Sequence, residues 1–194
     1  IKLEISEIPV ENFILEPSGK NTAPAIGLAT MHLLRKNKKG IMAIYPADHF
    51  ISGRNFKKTI LLGSDFAKNN SGLITIGIEP TYPATGYGYI NIDEQSDDNF
   101  NIYSVKKFIE KPNKKDALKL LEQGDNYWNS GIFIWSIKSI IDSYQQHMSK
   151  LYDSLSSIYQ YIDTEEYYEK LNFYWNEIIP ESIDYGILEK EKNI

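Results

Sequence analysis

The sequence predicts an α/β fold in which buried strands alternate with amphipathic helices. Three short apolar runs, at residues 13–15, 41–45 and 73–78, have the length of buried strands. Two segments with helical spacing of apolar residues separate them, at about 23–37 and 54–69. Strand–helix–strand order at this spacing predicts right-handed βαβ units and therefore a parallel sheet.

The composition fits one globular domain and excludes several classes of protein. The 194 residues are 42% hydrophobic and carry a formal net charge of −5. This acidic balance argues against a nucleic-acid-binding surface, which normally shows a basic stripe. No apolar run reaches the roughly 18 residues of a membrane span. We therefore expect neither nucleic acid nor a membrane as a partner, and we expect a cytoplasmic location.

The chemistry available for binding phosphate is also limited by the composition. Of the 21 Lys and Arg residues, only Arg35 and Arg54 are Arg, so a phosphate site would use Lys, backbone N–H groups or a metal. The absence of Cys excludes disulfides and zinc–thiolate sites. The sequence does not determine the oligomeric state, and a homo-oligomer is among the arrangements that it permits.

The first apolar run leads into a polar loop, residues 16–25, that carries Pro, Ser, Gly and Asn. Thr22 or Ala23 is expected to cap a helix that has Pro24 near its first turn. The first N–H groups of such a helix have no intrahelical partners, so they suit an anion or the edge of a base. Ordinary helix capping is the alternative interpretation.

The second apolar run is followed directly by Asp48 in the sequence Pro-Ala-Asp-His. An Asp at the carboxyl end of a central parallel strand is suited to hold Mg²⁺, which prefers carboxylate and phosphate oxygens. The alternative is that Asp48 caps the next helix.

After the third run, glycines flank Tyr87 in the segment 85–90. Gly86 and its neighbour would let the backbone approach a ligand closely, whereas a β-bulge or the start of a hairpin is the alternative. A polar turn at 93–99 predicts a hairpin whose second strand ends at Glu110.

Glu110, Lys111 and Pro112 follow that strand, and Pro112 ends it because proline has no N–H for a ladder. The carboxylate can accept hydrogen bonds from sugar hydroxyls, and the ammonium can neutralise a phosphate. Asn129 lies downstream between an aromatic pair and a Ser-Gly step, where it offers both a donor and an acceptor. Taken alone, Glu-Lys-Pro also fits a solvated strand end, and Trp128 fits a core position.

Helical spacing continues from 113 to 123, from 136 to about 161 and from 164 to 178. Asp184 then follows a Pro-Glu-Ser turn. It is either a second metal carboxylate or the N-cap of the terminal segment, and the local sequence does not separate the two.

Five segments together resemble the mannose-1-phosphate guanylyltransferases, also called GDP-mannose pyrophosphorylases. They are EPSGKNTAPA at 16–25, PADHFI at 46–51, PATGYGYI at 83–90, FIEKP at 108–112 with WNSGIF at 128–133, and SIDYGILEK at 182–190. Each motif is modest alone, but their shared order is specific and spans residues 12–190.

The resemblance implies a three-layer α/β/α Rossmann-like fold, that of the nucleotide-diphospho-sugar transferases, with a mixed, mostly parallel sheet. It implies that GTP and mannose 1-phosphate react with Mg²⁺ to give GDP-mannose and pyrophosphate. The sugar phosphate oxygen would attack the α-phosphorus in line, without a covalent enzyme intermediate.

The resemblance also implies roles for individual residues, by motif. The guanine or its ribose would lie by Glu16, Lys20, Asn21, Thr22 and Ala23; Mg²⁺ would be held by Asp48 and Asp184; mannose would contact Gly86, Tyr87, Glu110 and Asn129; and the sugar phosphate would contact Lys111. Asp48, Lys111 and Asp184 would form the catalytic set.

The chain departs from the family in three respects. No segment matches the family's Gly-rich, Arg-containing loop, so we expect residues 1–194 to form a partial, N-terminally truncated domain. Lys20 stands where the family has Arg, and the family's C-terminal extensions have no counterpart here. A catalytically incomplete fragment that binds sugar phosphate or has a structural role, and a relative with another base or sugar, are the alternatives. The 21–24 stretch favours guanine.

Overall fold

The computed structural model describes residues 7–52, 54–97 and 102–194. The helices are α1 (Thr22–Lys36), α2 (Phe56–Asn69), α3 (Lys114–Gln123), α4 (Ile137–His147), α5 (Ser149–Tyr159) and α6 (Tyr167–Glu177), and the strands are β1 (Ile41–Ile44), β2 (Leu73–Ile78), β3 (Tyr89–Asp97), β4 (Ile102–Ile109) and β5 (Asn126–Ser136). A 3₁₀ helix (Val10–Asn12) precedes α1, and a π-helical turn (Asp184–Leu188) lies near the C-terminus. Among the described residues, no helix is long and apolar enough to cross a bilayer.

The sheet is organised around β5, and its pairings are antiparallel. β5 pairs with β1, β2 and β3, and β3 pairs in turn with β4. Ile134 of β5 faces Ala43 on one side and Ile74 on the other, so β5 lies between β1 and β2. The expected parallel ladder is therefore wrong for the described strands. β1 and β2 do run in the same direction, as the βαβ connection requires, but a strand from much later in the chain separates them.

The expected hairpin is formed by β3 and β4, with Tyr89 opposite Ile109 at its open end. β3 continues to Asp97, so most of the stretch expected as a polar turn is strand instead. The rest of that expected turn, from residue 98, lies outside the described residues.

The apolar run at 13–15 does not form the expected strand. These residues lie outside any ladder, and Ile14 instead packs against the main core. The run thus buries an apolar side chain beside the helices. Periodicity alone does not distinguish such a packed loop from a buried strand.

Helices cover both faces of the sheet, which gives the expected three layers. The main core joins α1, α4, α5 and α6 to the face of β5 that carries Phe133 and Trp135. On the other face, Ile134 lies so close to α2 that a Cβ on Gly63 would come within 2.8 Å of its Cδ1. A second cluster there contains Ala117 of α3, Tyr89 and Trp128, so the core interpretation of Trp128 is confirmed.

Local signals placed most helix boundaries correctly. Asn113 caps α3 by accepting a hydrogen bond from the Asp116 N–H at 3.0 Å, and Gly124 ends the helix with a left-handed φ of 79°. The single helix expected from 136 to 161 is instead two helices that meet at Met148, whose φ of −137° is not helical.

Replacing Leu155 with Ala is expected to lower the free energy of unfolding by about 2–5 kcal/mol, because the fully buried side chain leaves a cavity between α5 and α1. The matched control is Leu61→Ala on α2, where Leu61 is 55% exposed and a change below about 1 kcal/mol is expected. Urea unfolding of both variants measures the difference. Equal losses would contradict the assignment of the main core.

Candidate functional site

The site is built around a buried carboxylate and an open ammonium at the end of β4. Lys111 Nζ lies 2.9 Å from Glu110 Oε1, and only 8% of the Glu110 side chain is exposed, against 59% for Lys111. Lys111 has a left-handed φ of 43°, a conformation that costs free energy in a residue with a Cβ. The carboxylate is thus held inward while the ammonium faces solvent. The hydrogen bond to Glu110 raises the Lys111 pKa, so the ammonium stays charged.

A glycine just before the neighbouring strand makes room for Glu110. A Cβ on Gly88 would lie 2.6 Å from Glu110 Oε2, so a larger residue would displace the carboxylate. Gly86 is different, since nothing lies within 4 Å of the position of its Cβ. The sequence pointed to both glycines as places of close backbone approach, but only Gly86 was among the residues expected to contact the sugar. The position of Gly88 could have predicted this contact, because Gly88 directly precedes β3 and β3 pairs with β4, the strand that Glu110 follows.

Asn129 of β5 is held by hydrogen bonds on both ends of its amide. Its Oδ1 accepts from Thr75 Oγ1 at 2.9 Å and from the Gly131 N–H at 3.1 Å. Its Nδ2 donates to Asp184 Oδ1 at 3.0 Å. Since two donors fix the oxygen, the nitrogen must point toward Asp184. We refer to Glu110, Lys111, Asn129 and Asp184 as the Asn129 cluster.

Asp184 is the most strongly perturbed carboxyl group of the cluster. Burial and, after it, the negative charge of Glu110 raise the Asp184 pKa to about 6, while Lys111 and the bond from Asn129 act in the opposite direction. Its carboxylate does not cap the terminal segment, because no side-chain bond caps the turn that begins there. The N-cap alternative for Asp184 is therefore wrong.

The cluster has the electrostatics of a cation site. Two carboxylates, Glu110 and Asp184, face one ammonium, and a raised carboxyl pKa marks a place where added positive charge is stabilising. Oxygen donors also fit Mg²⁺. Nowhere in residues 7–52, 54–97 and 102–194 do three acidic or His side chains gather as a complete ligand set, so a bound ion would take ligands from phosphate or water as well.

Asp48 lies in an exposed turn after β1. The residue at the N-cap of α2 is Asn55, so the capping alternative for Asp48 is wrong. Its assignment as a metal ligand stays a prediction.

The N–H groups at the start of α1 already make hydrogen bonds to other groups of the chain. Asn21, with a φ of 72°, is the N-cap and accepts from the Thr22 N–H at 2.8 Å. The Ala23 N–H donates to the Glu181 carbonyl at 3.1 Å, and Pro24 has no N–H. The expected cap at Thr22 or Ala23 is therefore wrong, and the expected anion site at these N–H groups already has protein acceptors. Glu16 is exposed at the start of the loop.

The aromatic residues around Trp128 lie on the face of the sheet opposite to the one that Asn129 faces. Successive residues of a strand point to opposite faces, and the ring of Trp128 packs beside Tyr82 and Tyr87, with centroids 4.9 and 5.3 Å away. Asn129 points instead to Asp184. A substrate contact by the Tyr87 side chain stays a prediction, and the described contacts of its ring are with this aromatic group.

A cavity of about 490 Å³ lies between α2, β2 and the β3–β4 hairpin. Its lining is mainly apolar and includes no member of the Asn129 cluster. We therefore place the candidate site at the cluster and not at this cavity.

Comparison with known proteins identifies the relatives of the chain. The model of the family described as Nucleotidyl transferase matches residues 3–178. A mannose-1-phosphate guanylyltransferase of Escherichia coli is 36% identical over 191 residues, which cover 94% of this chain and 40% of that protein. The chain thus spans about 40% of the length of the curated relatives that it matches.

Two solved structures share the fold. One, titled mannose-1-phosphate geranyltransferase, from Thermus thermophilus, has a TM-score of 0.81 and 25% identity and covers 93% of this chain and 50% of that one. The other, mannose-6-phosphate isomerase from Helicobacter pylori, has a TM-score of 0.78 and 26% identity and covers 99% of this chain and 75% of that one. The two titles differ in activity, so the fold alone does not decide the reaction.

Asp184→Asn is expected to stabilise the chain above pH 6 and to leave its stability nearly unchanged below pH 4. The folded pKa is about 6 and the ordinary value 3.8, so folding favours the protonated form and this advantage is lost as pH rises through about 6. At 1.36 kcal/mol per pKa unit, the gain for the neutral Asn at pH 7 is roughly 1–3 kcal/mol. Asn keeps an oxygen to accept from Asn129.

Urea unfolding at pH 4, 5, 6 and 7 measures this difference, with Asp153→Asn on the exposed face of α5 as the matched control. A difference for Asp184→Asn that is the same at pH 4 and pH 7 would show that the carboxyl group does not have the raised pKa.

Proposed function

This chain belongs to the nucleotidyl transferase family. We propose that it is the part of a mannose-1-phosphate guanylyltransferase that binds the sugar phosphate and at which the sugar phosphate reacts with GTP. The observation that carries the proposal is the Asn129 cluster, where a buried carboxylate, a fixed amide and an open ammonium meet. The similarity to the Escherichia coli enzyme supports the choice of mannose 1-phosphate and GTP as substrates.

The sugar is proposed to bind against Glu110. The carboxylate is buried and has an ammonium on one oxygen, so it can accept hydrogen bonds from sugar hydroxyls with the other. The absence of a side chain at Gly88 leaves the space that this carboxylate occupies. Gly86, whose surroundings are free, and Asn129 complete the proposed mannose contacts. A charge-assisted hydrogen bond to a buried carboxylate is stronger than one to a neutral group, so Glu110 is the main source of sugar affinity.

The phosphate of the sugar is proposed to bind Lys111. Its ammonium is open to solvent on one side and anchored by Glu110 on the other, so one group positions it and a ligand can use its remaining donors. Its charge would hold the sugar phosphate close to the triphosphate, against the repulsion between the two anions. The phosphate oxygen then attacks the α-phosphorus of GTP, and the bond to the β-phosphate oxygen breaks to release pyrophosphate.

The residues proposed to hold Mg²⁺ are Asp184 and Asp48. When bound, the ion would neutralise charge on the phosphates during transfer. Asn129 orients the Asp184 carboxylate, and the proximity of Glu110 makes that carboxylate more stable with a cation than without one. Deprotonation of Asp184 is a requirement for this role, so we expect metal-dependent activity to fall as pH drops below about 6.

The guanine is proposed to lie near the loop at 16–23. The exposed Glu16 carboxylate can accept from the N–H groups that guanine presents, and Asn21 and Thr22 are exposed beside it. Because the N–H groups of Thr22 and Ala23 already have acceptors, recognition here would use side chains rather than the start of the helix.

Glu110→Gln is expected to weaken mannose 1-phosphate binding by about 10- to 100-fold and to leave GTP affinity within about threefold, because the lost charge-assisted bonds concern only the sugar. Isothermal titration of each ligand with wild type and variant measures both constants. The control is Glu122→Gln, at an exposed position on α3, which should change neither. Equal losses for both ligands would refute the sugar role, and absence of mannose 1-phosphate binding by the wild type would refute the proposed function.

A further inference from the structure

We propose that Lys20 and Thr22 are positioning residues, which attach the loop at residues 16–23 to the segment at residues 175–184 and so hold Asp184 at the Asn129 cluster. This differs from a role in which Lys20 contacts the nucleotide. The inference relies on the proposed function only for the task of Asp184, since the contacts themselves involve no ligand.

The first contact is between Lys20 and the C-terminal end of α6. Lys20 Nζ donates to the Asn176 carbonyl at 3.1 Å and to the Ile178 carbonyl. The last turn of α6 contains no basic residue, although unpaired carbonyls and the helix dipole favour a cation there. Lys20 supplies that cation from more than 150 positions away in the chain. Two of its three donors are thereby used within the protein.

The second contact is a set of hydrogen bonds between the same two segments. The Glu181 N–H donates to the Lys20 carbonyl at 3.2 Å, and the Ala23 N–H donates to the Glu181 carbonyl at 3.1 Å. The indole of Trp175, a fully buried residue, donates to the Ser18 carbonyl at 2.9 Å. The loop therefore has bonds at three of its residues, Ser18, Lys20 and Ala23, to the segment that runs from Trp175 in α6 to Glu181.

The third contact reaches the residue next to Asp184. The Ile183 N–H donates to Thr22 Oγ1 at 2.9 Å, and Ile183 is buried, with 1% of its surface exposed. Ile183 is thus fixed by packing on its side chain and by Thr22 on its backbone. Because Asp184 follows it directly, the position of the Asp184 carboxylate beside Asn129 depends on Thr22.

Four substitutions test the proposal. Lys20→Met removes the cation and Thr22→Val removes the acceptor, while Lys20→Arg and Thr22→Ser retain each function. Amide hydrogen exchange of residues 180–188 is measured without ligand. We expect about tenfold faster exchange in Lys20→Met and Thr22→Val, in keeping with the loss of one or two hydrogen bonds, and near-normal exchange in Lys20→Arg and Thr22→Ser. Lys57→Met and Thr59→Val, at exposed positions on α2, serve as controls.

Binding of mannose 1-phosphate gives the second readout. Lys20→Met and Thr22→Val should weaken it about tenfold although neither residue belongs to the Asn129 cluster, and the two conservative variants should restore it. Unchanged exchange at 180–188 in Lys20→Met would overturn the proposal, as would a loss of GTP affinity alone in Lys20→Met, which would make Lys20 a nucleotide ligand. If wild type fails to bind mannose 1-phosphate, the proposed function fails, and the exchange experiment still decides the positioning role.

Discussion

The orientation of the Asn129 amide is the constraint on which the site depends. Thr75 and Gly131 both donate to its oxygen, so its nitrogen is committed to Asp184. This bond joins the central strand of the sheet to the π-helical turn at the other end of the chain. Without it, the partly buried Asp184 would lose a donor that favours its charged form, and the separation between Asp184 and Glu110 would no longer be fixed.

The site contains an electrostatic repulsion between Asp184 and Glu110, and the stability of the rest of the fold offsets it. Burying Asp184 near Glu110 raises its pKa, which is a cost to folding at neutral pH. A structure selected for stability alone would favour a neutral group there, whereas a site for a cation and two phosphates benefits from the unneutralised charge. The left-handed backbone at Lys111 is a further local cost at the same place, as is common for functional sites.

Local sequence patterns predicted the helices and strands better than they predicted which strands pair with one another. The ends of α3 and the pairing of β3 with β4 follow from capping and from apolar spacing, which act over a few residues, whereas the three layers were implied by the family resemblance. Local patterns did not predict that β5 lies between β1 and β2, because strand order depends on contacts between distant segments. The same limit explains the site. Glu110, Lys111 and Asn129 were found from their motifs, but the approach of Glu110 to Gly88, the hydrogen bond from Thr75 and the inward attachment of Lys20 depend on neighbours far away in sequence.

The most direct test is Mg²⁺-dependent pyrophosphate release by the complete protein, assayed with each nucleoside triphosphate against a panel of sugar 1-phosphates. We expect release with GTP and mannose 1-phosphate, loss of that release in Asp184→Asn, and retention in Asp153→Asn. Release that Asp184→Asn leaves unchanged, or that does not depend on the sugar phosphate, would contradict the assignment of the Asn129 cluster as the site of transfer.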